Sequence, residues 1–375
     1  MTALLLLPVV CSAVYWLLTV WALRRFFSRA RARPRAPARR PRVSLIKPVC
    51  GLEKGLEDNL ATALTQDYPD YEVVFSVARR DDPALPVLER LKARAPAKVK
   101  VVVDEECAGP NGRLSNILNA TKRADGDILV YSDSDMRLGP DYLEAVTAPL
   151  DDPAVGVACT VYRAWGAKNL PEALELLSLN ADFVPSLIFA TDTGLSPACP
   201  GASQAIRRET LERVGGLAPL AHSLVEDYDL GLAVLKAGLR IEFVPYVART
   251  GVDLAGWPAW WRHQVYWDQN TRAANPAGHF FTVLVRGVPF AVLYSLCGGS
   301  AWPAWLAGCV GLRLAAYAAC ARFLDDGEGL RKSWLLPLRD LAGLAVWTAS
   351  FASREVHWKG RVFVIQGRRM VEVAA

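Results

Sequence analysis

The sequence predicts an α/β domain with a mostly parallel sheet, held between N- and C-terminal transmembrane helices. Three observations predict it. From about residue 43 to 275, short strand-like runs alternate with helices of roughly ten residues, a pattern that requires crossover connections and parallel strands. Residues 2–23 (TALLLLPVVCSAVYWLLTVWAL) run 22 residues without a charge, the length that crosses a bilayer. After about residue 280 the chain turns apolar again. A chain of 375 residues is long enough for one sizeable domain plus this membrane material. Its 52% apolar content exceeds that of an ordinary cytosolic enzyme.

The N-terminal transmembrane helix is assigned to residues 1–27. A signal peptide is the competing reading, but the usual basic start is absent and the apolar run is too long for its core. An Arg-rich juxtamembrane linker follows over 28–42. The stretch 24–42 (RRFFSRARARPRAPARRPR) holds nine arginines and no acid, so removing it from the formal net charge of +5 leaves −4. The basic balance is therefore one block beside the membrane and carries no signal for nucleic acid. By the positive-inside tendency it stays cytosolic with the main domain, and anionic lipid headgroups of the bilayer are its partners. The expected localisation is multi-pass in a bacterial-type inner (cell) membrane.

The soluble domain is assigned to 43–275. Val43–Ile46 reads as a strand, Leu56–Gln66 as a helix, Tyr71–Val77 as a strand and Ala84–Ala93 as a helix. Val99–Val103 is a third strand, Gly112–Ala124 a helix and Asp127–Tyr131 a fourth strand. Ligands of such sheets bind beyond the carboxyl ends of the strands. The stretch Tyr131-Ser132-Asp133-Ser134-Asp135 lies at one such end. Alternation along an extended segment puts Asp133 and Asp135 on one face, where two anions repel unless a cation or proton sits between them.

Residues 276–355 are assigned to C-terminal membrane or interfacial helices, from apolar stretches at 280–297, 301–323 and 334–352. Arg286, Arg313 and Arg339 interrupt them, and a short helix lying on the bilayer is the alternative for any one. A basic cytosolic tail, 356–375, closes the chain. The eight cysteines contain no CxxC pair, which argues against a disulfide scaffold and fits a reducing compartment.

Two further acidic groups matter. Asp81-Asp82 follows the second strand, and Glu226-Asp227 opens a helix. Singly each has a bland reading, as a helix N-cap before Pro83 or as acid favoured by the helix dipole. Together, three acidic clusters at strand ends with a DxD in the middle suggest a divalent-metal diphosphate site. Hard Mg or Mn takes few carboxylates and uses phosphate oxygens for the rest. A separate carboxylate off the metal then takes the proton of an incoming hydroxyl.

These runs carry a resemblance: VSLIKPVCG (43–51), LTQDYPDYEVVFSV with DDPA (64–84), GPNGRLSN (109–116), YSDSDMRLGPDYL (131–143), PGASQAIRRETLERVGG (200–216), VEDYDLG (225–231) and WKGRVF (358–363). The chain is similar to the ceramide glucosyltransferases and their bacterial relatives, including hopanoid-linked sugar transferases, among the inverting glycosyltransferases. The resemblance implies a nucleotide-sugar-binding domain of the glycosyltransferase A-type fold, a UDP-sugar donor, a divalent metal and a membrane lipid acceptor, ceramide or a hopanoid polyol. It implies that Asp82 (or Asp81) holds the uridine end of the donor and that Asp133 and Asp135 bind the metal and the diphosphate. Asp227 matches the general base. Lys47 and Pro48 match residues lining the nucleotide pocket, which Asn111 and Asn116 border. The product is a β-glycoside formed without a covalent intermediate.

One motif departs. The family ends its soluble domain with (Gln or Arg)-x-x-Arg-Trp, where this chain has His263-Gln264-Val265-Tyr266-Trp267. Trp267 is kept, but a tyrosine replaces the arginine that pairs bidentately with diphosphate oxygens. Arg262, Gln264 and Arg272 are candidates to fill the gap. The run 257–267 (WPAWWRHQVYW) also reads as an aromatic interface belt. A processive polysaccharide synthase sharing the metal site and a catalytically dead membrane scaffold are the rival functions. The first normally needs a longer membrane pore and the full motif; the second is opposed by the clustered acids.

Overall fold

A computed structural model describes residues 2–30, 39–197, 199–358 and 361–373. Eight strands form the central sheet: β1 (Val43–Pro48), β2 (Tyr71–Val77), β3 (Val99–Val103), β4 (Ile128–Ser132), β5 (Met136–Arg137), β6 (Val155–Trp165), β7 (Ser203–Arg207) and β8 (Arg240–Gly251). Their order is β3-β2-β1-β4-β7-β6-β8-β5. The β1–β2, β1–β4, β2–β3 and β6–β8 pairs are parallel, whereas β7 runs antiparallel to both β4 and β6. Strands β1, β2 and β4 are buried along their whole length, which is why they read as apolar runs rather than alternating ones.

The helices Leu85–Arg94 and Gly112–Thr121 stand where the sequence places them. The helix expected over 56–66 is α-helical only over Leu56–Ala61 and tightens into a 3-10 turn at Thr62–Leu64. The later strands β6, β7 and β8 were not anticipated. They insert the antiparallel β7 beside β4 and so bring Pro200-Gly201-Ala202 up against the end of β4.

By length and composition, Thr2–Arg29, Leu170–Asp192 and Trp302–Phe323 qualify as membrane spans, and Pro276–Val285 with Gly287–Leu296 form a pair bent by 50°. Leu4, Leu7, Val10, Val14, Leu17, Leu18 and Trp21 expose one apolar face of the first helix, as a lipid-facing surface does. Leu170–Asp192 is instead mostly buried inside the protein. It contains a π-helical turn at Leu179–Phe183, a local bulge often found at functional sites. From this turn Asp182 reaches Arg313 at 2.5 Å and also pairs with Arg339, while Arg313 meets Asp340 at 3.0 Å. The arginines that interrupt the apolar stretches are thus neutralised inside the helical bundle.

The segment read as a basic tail folds. Strands β9 (Glu355–Trp358), β10 (Arg361–Gln366) and β11 (Arg369–Glu372) form an antiparallel sheet. Its core of Val356, Phe363, Ile365 and Met370 packs on Leu224, with Tyr266 against it.

Candidate active site

Asp133 is the first residue beyond β4, and its amide donates to the Ala202 carbonyl at 3.2 Å. The chain then turns, the Met136 N–H donating to the Asp133 carbonyl at 3.2 Å. Alternation predicts one shared strand face for Asp133 and Asp135, but both lie beyond β4, and the turn after the strand sets their positions. Lys47 of β1 reaches beneath this turn, its Nζ donating to Asp133 O at 2.8 Å and to Ser132 Oγ and Met136 O at 3.2 Å each. Burial pulls its ammonium down to about 8, opposed by the charges of Asp135 and Asp133. Asp135 accepts from Thr250 Oγ1 at 2.9 Å. Burial first, then the charges of Asp133 and Glu53, push its carboxyl up to about 7. Such a group favours a cation or a proton nearby.

Asn111 caps the helix Gly112–Thr121, accepting from Leu114 N–H. Arg113, in the first turn, spans three partners: Asp133 Oδ1 at 2.7 Å, Glu226 Oε1 at 2.6 Å and the Gly201 carbonyl at 2.7 Å. Asn111 Nδ2 donates to the second Glu226 oxygen at 2.8 Å. Glu226 is thereby occupied at both oxygens.

Asp227, in the first turn of the helix Glu226–Lys236, is held differently. Its Oδ2 accepts the Gly201 N–H at 2.6 Å and its Oδ1 the Tyr228 N–H at 2.7 Å. Burial, then the charge of Glu226, push its carboxyl up to about 7, against the pull of Arg113 and the two N–H groups. Asp133, Arg113, Glu226 and Asp227 line one cavity of about 390 Å³, together with Tyr162, Phe183, Leu187, Tyr266, Trp267 and Met370. Charged groups and lipid-compatible surface meet in a single space. Trp267 stands edge-on to Phe183, with ring centroids 5.5 Å apart.

Of the residues singled out from sequence, Asn111, Asp133, Glu226, Asp227, Tyr266 and Trp267 line this cavity. Asp135 and Lys47 support the turn from behind. Pro48, Asp82 and Asn116 gather at the loop after β1, outside the cavity lining. Asp82 accepts the Gly51 N–H at 3.1 Å and the Ala84 N–H at 2.9 Å, and Asn116 donates to the Val49 carbonyl at 3.1 Å. Asp81 forms an exposed ion pair with Arg79. Among the candidates to replace the arginine at 266, Gln264 donates to Glu175 at 2.7 Å and Arg272 to the Ser353 carbonyl at 3.2 Å; neither they nor Arg262 line the cavity.

Sequence reasoning passed over Arg113, Gly201, Phe183 and Met370. A signal existed for Arg113: a cation in the first turn of a helix opposes the macrodipole, so it needs acidic partners. Met370 carried none, because its place depends on the C-terminal sheet.

Comparison with known proteins follows the same outline. Ceramide glucosyltransferase 1 of Caenorhabditis elegans is 24% identical over 203 residues, 53% of this chain and 43% of that protein. The ceramide glucosyltransferase of Gibberella zeae is 29% identical over 195 residues, 48% of this chain and 36% of that one. The matches span less than half of these relatives' length. A mannosyltransferase from Pyrobaculum calidifontis, solved in complex with GDP-Man and Mn2+, superposes with a TM-score of 0.56 at 21% identity, covering 93% of this chain and 99% of that one. The two share the glycosyltransferase A-type fold. The profile of glycosyl transferase family 21 matches residues 4–371, and on that extent, from the first membrane helix to the C-terminal sheet, the chain belongs to glycosyl transferase family 21.

Proposed function

We propose that the chain transfers a sugar from a UDP-sugar to the primary hydroxyl of a membrane lipid, with inversion. Glucose is the sugar and ceramide the acceptor of this reading; transfer of N-acetylglucosamine to a hopanoid polyol or another lipid is the alternative. One observation carries it: the half-buried Asp227 carboxylate lines the same cavity as Asp133 and as the apolar residues Phe183, Leu187 and Trp267. A proton acceptor, a diphosphate-binding acid and a surface for a lipid chain are thus within one space.

The residues fit a divalent cation. Among the described residues no group of three or more His, Cys, Asp or Glu could hold a metal ion alone, which suits Mg or Mn bound by one or two carboxylates and completed by phosphate oxygens. Asp133 would hold it, with Asp135 behind, and when bound it offsets the charge of the leaving diphosphate. Asp227 takes the proton from the acceptor hydroxyl as that oxygen bonds to the anomeric carbon. The bond from the anomeric carbon to the diphosphate oxygen breaks on the opposite side, and UDP departs with its electron pair. The proton remains on Asp227 until solvent removes it. Lys47 and the Gly201 N–H keep the acids in place throughout.

The orientation belongs to the same reading. The arginine block and the exposed face of the first helix support a multi-pass chain with its catalytic domain in the cytosol of a bacterial-type cell membrane. Residues 31–38 of that block lie outside the described residues.

Membranes carrying the chain, supplied with radiolabelled UDP-glucose and either ceramide or a hopanoid polyol, test the function after lipid extraction. Label moving to ceramide is the expected result. Label on the hopanoid polyol alone would reassign the acceptor, and label in no lipid, from UDP-glucose or from UDP-N-acetylglucosamine supplied in its place, would refute lipid glycosylation.

A further inference from the structure

The cavity that holds Asp133, Glu226 and Asp227 has a single cation among the described residues lining it, Arg113. That cation is fully engaged. Its Nε and Nη2 both lie 2.7 Å from the same oxygen, Asp133 Oδ1, its Nη1 donates to Glu226 and its Nη2 also reaches the Gly201 carbonyl. Among the described residues no other cation lines the cavity. Lys47 is spent on Ser132, Asp133 O and Met136 O beneath the turn, Lys54 on Glu172, and position 266, in the cavity wall, is a neutral tyrosine.

Two consequences follow from charge alone. A divalent cation approaching Asp133 must displace a charge-assisted pair and then sit beside a half-buried guanidinium, so metal by itself meets repulsion. A diphosphate by itself meets three acids. When both arrive together the diphosphate offsets the repulsion between metal and guanidinium, and the released N–H groups of Arg113 gain acceptors.

We propose that Arg113 is the site's resident stand-in for the metal. It neutralises Asp133 in the empty site, gives up Asp133 Oδ1 when a divalent cation arrives with a nucleoside diphosphate, and turns its freed Nε–H and Nη2–H onto diphosphate oxygens while Nη1 stays on Glu226. The proposal rests on the donor-site reading above. It makes metal and nucleotide binding mutually dependent, and that coupling is reciprocal. It also presents a guanidinium to the diphosphate in a cavity whose wall at position 266 is a tyrosine.

The test is Mn2+ binding to the full-length protein in detergent, read from loss of the free-ion electron paramagnetic resonance signal, with and without UDP. The unaltered chain should bind Mn2+ weakly alone and more tightly with UDP. In Arg113→Gln, affinity for Mn2+ alone should rise by roughly tenfold, and the gain produced by UDP should shrink by a similar factor. Because Arg113→Gln leaves Glu226 as well as Asp133 without a cation, the double variant R113Q/E226Q, in which Asp133 alone has lost its partner, is measured beside it and should show the same rise. Arg113→Lys, retaining charge, should keep Mn2+ alone weak. Affinity for Mn2+ alone that is unchanged or lower in both glutamine variants overturns the stand-in role. If UDP fails to tighten Mn2+ binding even in the unaltered chain, the donor-site reading falls as well.

Discussion

Glu226 and Asp227 are adjacent acids with different surroundings, and that difference sets what each can do. Glu226 is closed off by Arg113 and Asn111. Asp227 holds only backbone N–H groups and keeps lone pairs toward the cavity. Asp227→Asn should therefore lower turnover by about 10²–10⁴-fold, the usual worth of a positioned general base, with UDP affinity nearly unchanged in an equilibrium binding assay. Near-normal turnover in that variant with a dead Glu226→Gln would move the base to Glu226. The pH dependence follows from the same carboxyl. It titrates among Glu226, Arg113, Tyr162, Tyr266 and the buried Cys159 and is pushed up to about 7. Below that pH it carries a proton and cannot accept another, so turnover should rise as pH climbs through 7 and then level. A rate independent of pH between 5 and 9 would remove it from the proton transfer. Gly201 sets the position of the same group: a Cβ there would stand 3.0 Å from the Asp227 Cβ and Oδ2. Gly201→Ala should displace the base by a few tenths of an ångström and cost about tenfold in turnover, while Mn2+-dependent UDP binding persists. The acids were legible in the sequence because their type and order point to one chemistry. Arg113 was not, since its meaning lies in three partners distant along the chain.

The elements divide by how local their determinants are. The first half of the sheet was legible because β1 to β4 alternate with helices and each buries a short apolar run. The strands β6 and β8 are long, bulged and paired across 85 residues or so of intervening chain, and nothing in their own composition marks that partnership. The same holds for β9 to β11, whose apolar residues make sense only against Leu224 and Tyr266. Leu170–Asp192 is apolar enough to cross a bilayer but is kept inside the protein by ion pairs that no hydropathy window records. Its Asp182 faces Arg313 and Arg339, and Arg313 faces Asp340. Arg313→Met strands buried carboxylates and should destabilise the folded chain by about 3–5 kcal/mol, read by thermal unfolding in detergent. Arg79→Ala, which breaks only the exposed pair with Asp81, should leave the unfolding curve where it was. Equal curves for the two variants would mean that the network does not hold the helix.

At the scale of the whole molecule, the proposed function requires a donor site in the cytosol and an acceptor surface at the membrane. Cys50 and Cys107 are exposed on the α/β domain, and Cys297 is exposed after it. In a variant with Cys50, which lies on the same domain, and Cys297 changed to serine, a membrane-impermeant thiol reagent should label Cys107 only after cells are opened; labelling of intact cells would invert the topology. The central claim, a carboxylate site that binds metal and diphosphate and feeds a base-assisted transfer to lipid, is tested most directly by following labelled sugar into lipid with divalent cation present and with excess chelator. The account predicts full transfer with Mn2+, none in chelator, recovery when Mn2+ is restored, and none under any condition for Asp133→Ala present in the membrane at normal amount. Undiminished transfer in excess chelator, or by Asp133→Ala, would contradict it.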